Sequence, residues 1–257
     1  MKYNILLAFD FAIKDFKQRY MGTGLGHLWF ILSPIIMISI YAIVFSDLMS
    51  LKLNIQSTGY SYVIYLIPGI VAWTTFSTII TRLSNSFAEK SGLIKKVSVP
   101  MYAFSLSTLI TEFVIFLISM FIAVVFLLIV NHPVTFTFLW LLPVMILQVL
   151  FAFSIGVILS LFVPFFKDLK VVVPIAIQLW FWTTPILYMK EMVADKYPAI
   201  LQYNPFFYFI DIYHNIFLYS VSPSFSQLFI LLLITFPTQF LAAFLYKKMI
   251  STIKDII

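Results

Sequence analysis

The chain has 257 residues, of which 62% are hydrophobic and 10% charged, and its formal net charge is +6. A soluble domain has about 25% charged residues, so this composition excludes an ordinary soluble fold and requires lipid around most of the chain. The positive charge does not indicate nucleic-acid binding, because the lysines and arginines fall in the loops between apolar stretches.

The first twenty residues show an amphipathic pattern. Apolar residues recur at helical spacing at Ile5, Phe9, Ala12, Ile13, Phe16 and Tyr20. Such a helix lies in the membrane interface, although the basic residues here could serve only as an orientation signal. Glycines at positions 22, 24 and 26 then predict a flexible corner. Residues 1–27 are therefore interpreted as an interfacial helix and a corner.

Six stretches are long and apolar enough to cross a membrane, which takes about 20 residues. They cover residues 28–47, 60–81, 102–130, 138–163, 171–189 and 226–246. The sequence thus predicts an all-α polytopic membrane protein with a single transmembrane domain. Spans one to five occupy residues 28–189, and span six with a tail occupies residues 226–257.

The basic residues set the orientation. Thirteen lysines and arginines lie before span one, after spans two and four, and after span six, whereas three lie on the opposite side. Positively charged loops stay in the cytoplasm. We therefore expect both termini in the cytoplasm.

Residues 190–225 fit no simple span. The apolar run 205–221 is interrupted by Asp211, His214 and Asn215, and it follows Asn204-Pro205. It is too short and too broken to cross and return as two full helices, so it predicts short re-entrant helices on the outer side. The alternative, a seventh span, disagrees with the charge count.

Catalytic and metal-binding patterns are missing from the sequence. The three histidines are scattered, no cysteine occurs, and no Gly-Lys-Ser/Thr follows the glycines near position 24. We therefore expect a protein that is not an enzyme and that binds neither a metal nor ATP itself. Glu112, inside span three, is the one clear intramembrane acid. It predicts either a hydrogen bond to a neighbouring helix or, less strongly, proton coupling.

The loop after span two mixes basic and apolar residues. It contains Glu89, Lys90, Leu93, Ile94, Lys95 and Lys96. This composition suits a short helix that docks on a soluble partner, and it equally suits a solvated cytoplasmic loop. Tyrosines and tryptophans cluster near the ends of spans two and five, where they form an aromatic belt or line a path for sugar rings.

Three stretches resemble the permease subunits of ABC-type polysaccharide exporters, which move O-antigen, capsule or teichoic acid. The first is Lys17-Gln18-Arg19-Tyr20 with Leu25-Gly26-His27-Leu28-Trp29. The second runs from Tyr65-Leu66-Ile67-Pro68-Gly69 through Trp73 to Leu93-Ile94-Lys95-Lys96-Val97 and Pro100. The third is Asn204-Pro205-Phe206-Phe207-Tyr208. Two departures occur, His214 where many relatives carry arginine and Val99 where phenylalanine is common.

The resemblance implies a homodimeric permease in the bacterial inner membrane, with two copies of a separate ATPase that binds ATP and magnesium. The loop at 84–100 would contact that ATPase, and residues 190–225 would form an outer gate. Lys17, Arg19 and Trp29 would lie where the lipid-linked substrate enters. The glycan path would be lined by Tyr60, Tyr62, Trp73, Trp180, Trp182 and Tyr188.

The expected function is export of an undecaprenyl-diphosphate-linked polysaccharide, with O-antigen first and capsule or teichoic acid as alternatives. Two other classes stay open, an ion-driven secondary carrier that depends on Glu112 and an ABC permease for drugs or small lipids. A membrane-embedded glycosyltransferase lacks the clustered polar residues that its chemistry requires.

Overall fold

The structure is a computed structural model that describes residues 2–49, 60–89, 92 and 100–256. Within these ranges the chain is helical apart from turns and short connections, and no strand occurs in them. The helices are α1 (Lys2–Gln18), α2 (Trp29–Met49), α3 (Ser61–Glu89), α4 (Met101–Ile129), α5 (Leu141–Phe162), α6 (Leu169–Thr183), α7 (Glu191–Ala194), α8 (Pro198–Tyr203), α9 (Phe207–Tyr219) and α10 (Phe225–Ile256). Short 3-10 turns precede α2 and α5.

Five helical stretches in the described part of the chain are long and apolar enough to cross a membrane. They are Gly26–Val44, Ser61–Glu89, Met101–Ile129, Phe136–Phe162 and Phe225–Ile253. They correspond to predicted spans one, two, three, four and six. The all-helical membrane architecture is thereby confirmed, whereas the count of six spans is not.

Predicted span five is shorter than expected. The prediction extended to residue 189, but α6 ends at Thr183 after 15 residues, a length of about 22 Å. Thr184 is extended, with φ −102° and ψ 129°. It precedes Pro185, whose ring disfavours helical backbone in the residue before it. The apolar composition of 184–189 therefore did not translate into helix.

Predicted span six differs in the opposite direction, because the observed helix is longer than the predicted one. The apolar stretch stops at Tyr246, but α10 continues to Ile256. Lys247 and Lys248 are good helix formers, so they mark the end of the apolar surface and not the end of the helix.

Helix α3 is the centre of the bundle and packs against α2, α4, α5, α6 and α9. Its contact with α5 is very close, because a Cβ atom added to Gly156 would lie 2.7 Å from the Cβ atom of Leu83. Small residues allow this approach between membrane helices. The Gln148 side-chain amide of α5 also donates a hydrogen bond to the Ala72 carbonyl at 2.8 Å.

Helix α1 packs against α4. It buries the small residues Ala8 and Ala12, and the Phe11 ring stacks on Phe104 with centroids 5.0 Å apart. Of the predicted apolar face, Phe9 and Ile13 are exposed instead. The helix therefore turns Ala8, Ala12 and Phe11 towards the bundle and leaves Phe9 and Ile13 on the outside. The corner that follows contains Gly22 and Gly26 at positive φ.

The segment 190–225 contains three short helices, α7 to α9. α7 and α8 have no buried residues, whereas α9 buries Phe209, Ile210, Tyr213, Ile216 and Phe217 completely. α9 packs chiefly on α3, with smaller contacts to α5 and α10. Of this segment, α9 therefore belongs to the hydrophobic core, whereas α7 and α8 lie at its surface.

Candidate functional site

Four charged side chains meet between α1, α3 and α4. One carboxylate oxygen of Glu112 accepts hydrogen bonds from Arg19 at 2.8 Å and from Arg82 at 2.5 Å. The second terminal nitrogen of Arg82 donates to both oxygens of Asp15, at 2.7 and 2.9 Å. We call these four residues the charged network.

The charged network explains how an acid is accommodated inside a membrane helix. The Glu112 side chain is only 3% exposed, and a buried carboxylate without a partner costs several kcal/mol. Two guanidinium groups offset that cost, and their planar donors suit carboxylate oxygens. This pairing agrees with the hydrogen-bonded interpretation of Glu112.

A cavity of about 160 Å³ lies beside the charged network. Arg19, Glu112 and Trp29 contribute to its wall, together with residues of α2 and α3. Five serine and threonine residues also line it, namely Ser33, Thr74, Thr75, Thr78 and Ser119. A cationic group and several hydroxyl donors around one cavity favour a ligand that carries anionic oxygen atoms.

An apolar groove continues from this cavity along α2. The groove shares Trp29, Ser33 and Met37 with the cavity and extends past Ile36, Ile40 and Tyr41. Its volume is about 390 Å³. The polar cavity and the apolar groove together match an amphipathic ligand, which has a polar head and an apolar tail.

The structure places the three predicted entrance residues differently. Arg19 and Trp29 line the cavity. Lys17 is on the exposed side of α1 and does not contribute to that wall. Two of the three residues therefore lie together at one cavity, and their role at a substrate entrance stays a prediction.

The predicted aromatic path divides into packed and exposed residues. Trp73 and Trp180 pack edge to face with centroids 6.2 Å apart. Tyr62 and Tyr188 donate hydrogen bonds to the carbonyls of Leu187 and Trp182, at 2.7 and 3.0 Å. Tyr60 is 44% exposed and Trp182 is 60% exposed. The exposed pair alone presents large ring surfaces to a ligand.

Asn204 joins α6 to the helices that follow it. Its side-chain oxygen accepts hydrogen bonds from the Trp180 indole at 2.8 Å and from the Phe206 backbone at 3.1 Å. Its amide donates to the Thr184 hydroxyl at 2.8 Å. The Asn-Pro motif therefore defines the junction at which α8 gives way to the buried α9.

A second polar cluster holds α9 to its surroundings. Asp211 accepts from Lys190 at 2.5 Å, from Gln227 at 3.1 Å and from Asn215 at 3.2 Å. One turn further, the buried His214 ring packs on Tyr65 with centroids 3.7 Å apart. A Cβ atom at Gly69 would lie 3.0 Å from the His214 Nε2 atom. Gly69 therefore provides the space that the His214 ring occupies.

Most of the predicted docking loop cannot be placed. Glu89 is the exposed last residue of α3. Lys90, Leu93, Ile94, Lys95 and Lys96 lie outside the described residues. In the parts of the chain that are described, no group of three or more His, Asp or Glu residues is arranged to hold a metal ion.

Sequence reasoning missed Asp15 and Arg82 as members of the site. The charge of Arg82 suits a cytoplasmic loop after span two, whereas the structure places this residue within α3 beside Glu112. A signal was present, because a buried acid in span three requires a cation at similar depth on a neighbouring helix. Arg82 lies about two turns before the end of α3, and Glu112 lies three turns into α4.

The long apolar helices and the charged cavity between them define a multi-pass membrane protein. The ABC-2 type transporter family matches residues 11–218. Because this match covers more than half of its length, the chain belongs to the ABC-2 type transporter family. Membership implies a transport subunit rather than an enzyme, and one that acts with an ATP-binding partner subunit.

Individual relatives agree with this family. The chain is 33% identical over 210 residues to the O-antigen export system permease protein RfbA of Klebsiella pneumoniae. The aligned region covers 80% of this chain and 79% of that protein. The chain is 26% identical over 206 residues to the RfbA permease of Myxococcus xanthus, which covers 79% and 77% of the two chains. These similarities confirm the resemblance that the sequence motifs indicated.

The charged network predicts an order of stability losses. Arg82→Gln should lower the free energy of unfolding by about 3 kcal/mol, because it leaves two carboxylates short of a partner. Arg19→Gln should cost less, because among the described residues the Arg19 side chain pairs with one carboxylate, Glu112, whereas Arg82 pairs with two. Thermal unfolding of the purified protein in one detergent measures both. Lys17→Gln is the matched control and should change little, and equal losses for Arg82→Gln and Lys17→Gln would contradict the network.

The two tryptophans of α6 should respond differently to truncation. Trp180→Ala should lower the yield of folded protein, since it opens a cavity worth roughly 3–5 kcal/mol and removes a partner of Asn204. Trp182→Ala should leave the yield unchanged because that ring is exposed. Size-exclusion chromatography of detergent extracts measures the yield, with Trp182→Phe as a conservative control. A larger loss for Trp182→Ala than for Trp180→Ala would refute this assignment.

Proposed function

We propose that this chain is the transmembrane subunit of an ABC exporter that moves an undecaprenyl-diphosphate-linked polysaccharide across the bacterial inner membrane. O-antigen is the preferred substrate. The observation that carries the proposal is the similarity, over 80% of the chain, to a permease named for O-antigen export. Capsule and teichoic acid are the alternatives within the same family.

The partner arrangement follows from the family and from the missing phosphate-binding loop. The chain lacks the Gly-Lys-Ser/Thr sequence that binds nucleotide phosphates in the usual device. We assign ATP and magnesium to a separate subunit present in two copies, on which two copies of this permease assemble.

The cavity and the groove on α2 support a substrate entrance at this place. A lipid diphosphate has anionic oxygens that suit Arg19 and the hydroxyl groups of the cavity. Its isoprenoid chain suits the apolar groove past Ile36 and Ile40. Trp29 lies at the junction of the two, and Lys17 adds positive charge outside the wall.

We propose six spans with both termini in the cytoplasm. In this topology α6, together with the connection that follows it, forms the fifth crossing despite its length. α8 and α9 re-enter from the outer side as the gate, and the burial of α9 against α3 supplies the internal packing that such helices need. Tyr60 and Trp182 present rings for the glycan path.

The ATPase docks on the loop at 84–100. Residues 84–89 of this region are the last turns of α3, so movement there would reach Arg82 and the charged network through one continuous helix. In this proposal Glu89, Lys95 and Lys96 contribute charges to the contact.

Deletion of the gene tests the proposed function. Lipid-linked polymer should accumulate inside the cell and surface polymer should disappear, as measured by immunodetection at the surface and by extraction of undecaprenyl-linked glycan. A Lys95→Glu/Lys96→Glu variant should fail to restore export and should recover less ATPase in pull-downs than a Lys248→Glu control.

The outcomes separate the candidates. Trapped capsule or teichoic acid would replace O-antigen as the substrate. Normal surface polymer in the deleted strain would contradict the exporter proposal. Ion-driven transport by the purified chain alone would favour a secondary carrier.

The topology is testable because the chain has no cysteine. Single cysteines at Thr135, Thr23 and Ser251 provide three exposed positions. In spheroplasts, a membrane-impermeant maleimide should label Thr135→Cys directly and the other two only after permeabilisation. Direct labelling of Ser251→Cys would instead indicate an odd number of crossings.

A further inference from the structure

A second groove lies on the other side of the bundle, between α4, α5 and α10. Its volume is about 310 Å³, and its wall is almost entirely apolar. Leu106, Phe153, Val157, Ala242 and Ala243 form most of its length. The two alanines open the groove, because larger side chains at those positions of α10 would occupy it. It shares no residue with the cavity beside Arg19.

The groove is polar at one end. Tyr102, Tyr246 and Lys247 contribute there, and Lys247 lies on the same side of α10 as Ala243 and Gln239. Lys247 lies eight positions after Gln239, a rise of about 12 Å along the helix. Lys247 follows the apolar part of α10, and tyrosines favour the membrane–water boundary. The polar end therefore lies at the level of lipid headgroups.

A hydroxyl group between the two regions points to a ligand. Ser105 is 2% exposed and lines the groove, one turn deeper than Tyr102. Among the described residues its Oγ atom has no hydrogen-bond partner. A buried hydroxyl without a partner is costly, so this donor favours an acceptor supplied from outside the chain.

We propose that this groove binds one anionic phospholipid of the surrounding membrane. The phosphate lies at Lys247, where charge complementarity selects it. An ester carbonyl, which in a glycerolipid sits just below the phosphate, accepts the Ser105 hydroxyl. One acyl chain follows Leu106 and Ala243 into the apolar part. The site is separate from the proposed substrate entrance, so it stands or falls independently of the exported polymer.

Native mass spectrometry of the full chain tests the proposal with dioleoyl-phosphatidylglycerol as the probe. After delipidation, the wild-type protein should bind one added dioleoyl-phosphatidylglycerol per chain and should bind dioleoyl-phosphatidylcholine more weakly. Ala243→Phe should weaken binding about tenfold, because it displaces the equivalent of two methylene groups of the lipid. Leu241→Phe, on the exposed face of the same helix, is the matched control and should retain wild-type affinity.

Lys247→Ala should weaken phosphatidylglycerol binding about fivefold, the value of one basic residue at a membrane surface. The neighbouring Lys248→Ala should change it less than twofold, since Lys248 does not line the groove. Because Lys247 is exposed, this pair remains informative even if Ala243→Phe fails to fold. Equal effects of the two lysine changes would overturn the site.

Two further results would also overturn the proposal. Tighter retention of undecaprenyl phosphate than of phosphatidylglycerol would assign the groove to the carrier lipid. Loss of a chain dimer in Ala243→Phe, with lipid binding unchanged, would make the groove an interface between two copies.

Discussion

A single carboxylate oxygen shared by two arginines ties the amphipathic first helix to the membrane bundle. Glu112 accepts from Arg19 and Arg82, and Arg82 also holds Asp15 of α1. In a medium of low dielectric these charges stabilise one another only as a set. The position of α1, the orientation of Arg19 and the shape of the cavity beside it all depend on this set. Since Arg82 lies on the helix that leads to the proposed docking region, the same contact would join that region to the proposed substrate entrance.

The two grooves proposed as lipid sites differ in the charged groups at their polar ends. The groove along α2 begins at a cavity rich in hydroxyl groups, where a guanidinium is already engaged by Glu112. The groove along α10 ends in an exposed lysine without such a competing acid in its wall. An incoming ligand at Arg19 must compete with Glu112, whereas a ligand at Lys247 need not. The first arrangement suits a transported ligand and the second suits a resident one.

The segment before α10 combines a rigid core with polar contacts at its rim. α9 contributes fully buried aromatic and aliphatic residues, so it cannot move without exposing them. Asn204 and Asp211 hold its two neighbouring connections through hydrogen bonds. In the proposed gate, opening would displace α9 as a packed unit, because interiors of this density do not deform gradually.

Composition, hydropathy and short motifs were enough to predict the lipid environment, the helical class, the five long helices and the family. Hydropathy and the short motifs that contain Trp29, Pro100 and Asn204 are local properties of the chain, so they can be identified before the fold is known. The end of α6 also has a local cause, since Pro185 restricts the residue before it. The prediction missed this end because the following residues are apolar. Tertiary structure alone decided that Arg82 pairs with both Asp15 and Glu112, that Trp180 packs while Trp182 is exposed, and that α1 buries alanines. These outcomes depend on which helix faces approach each other, and helical periodicity specifies a face without naming the neighbour it meets.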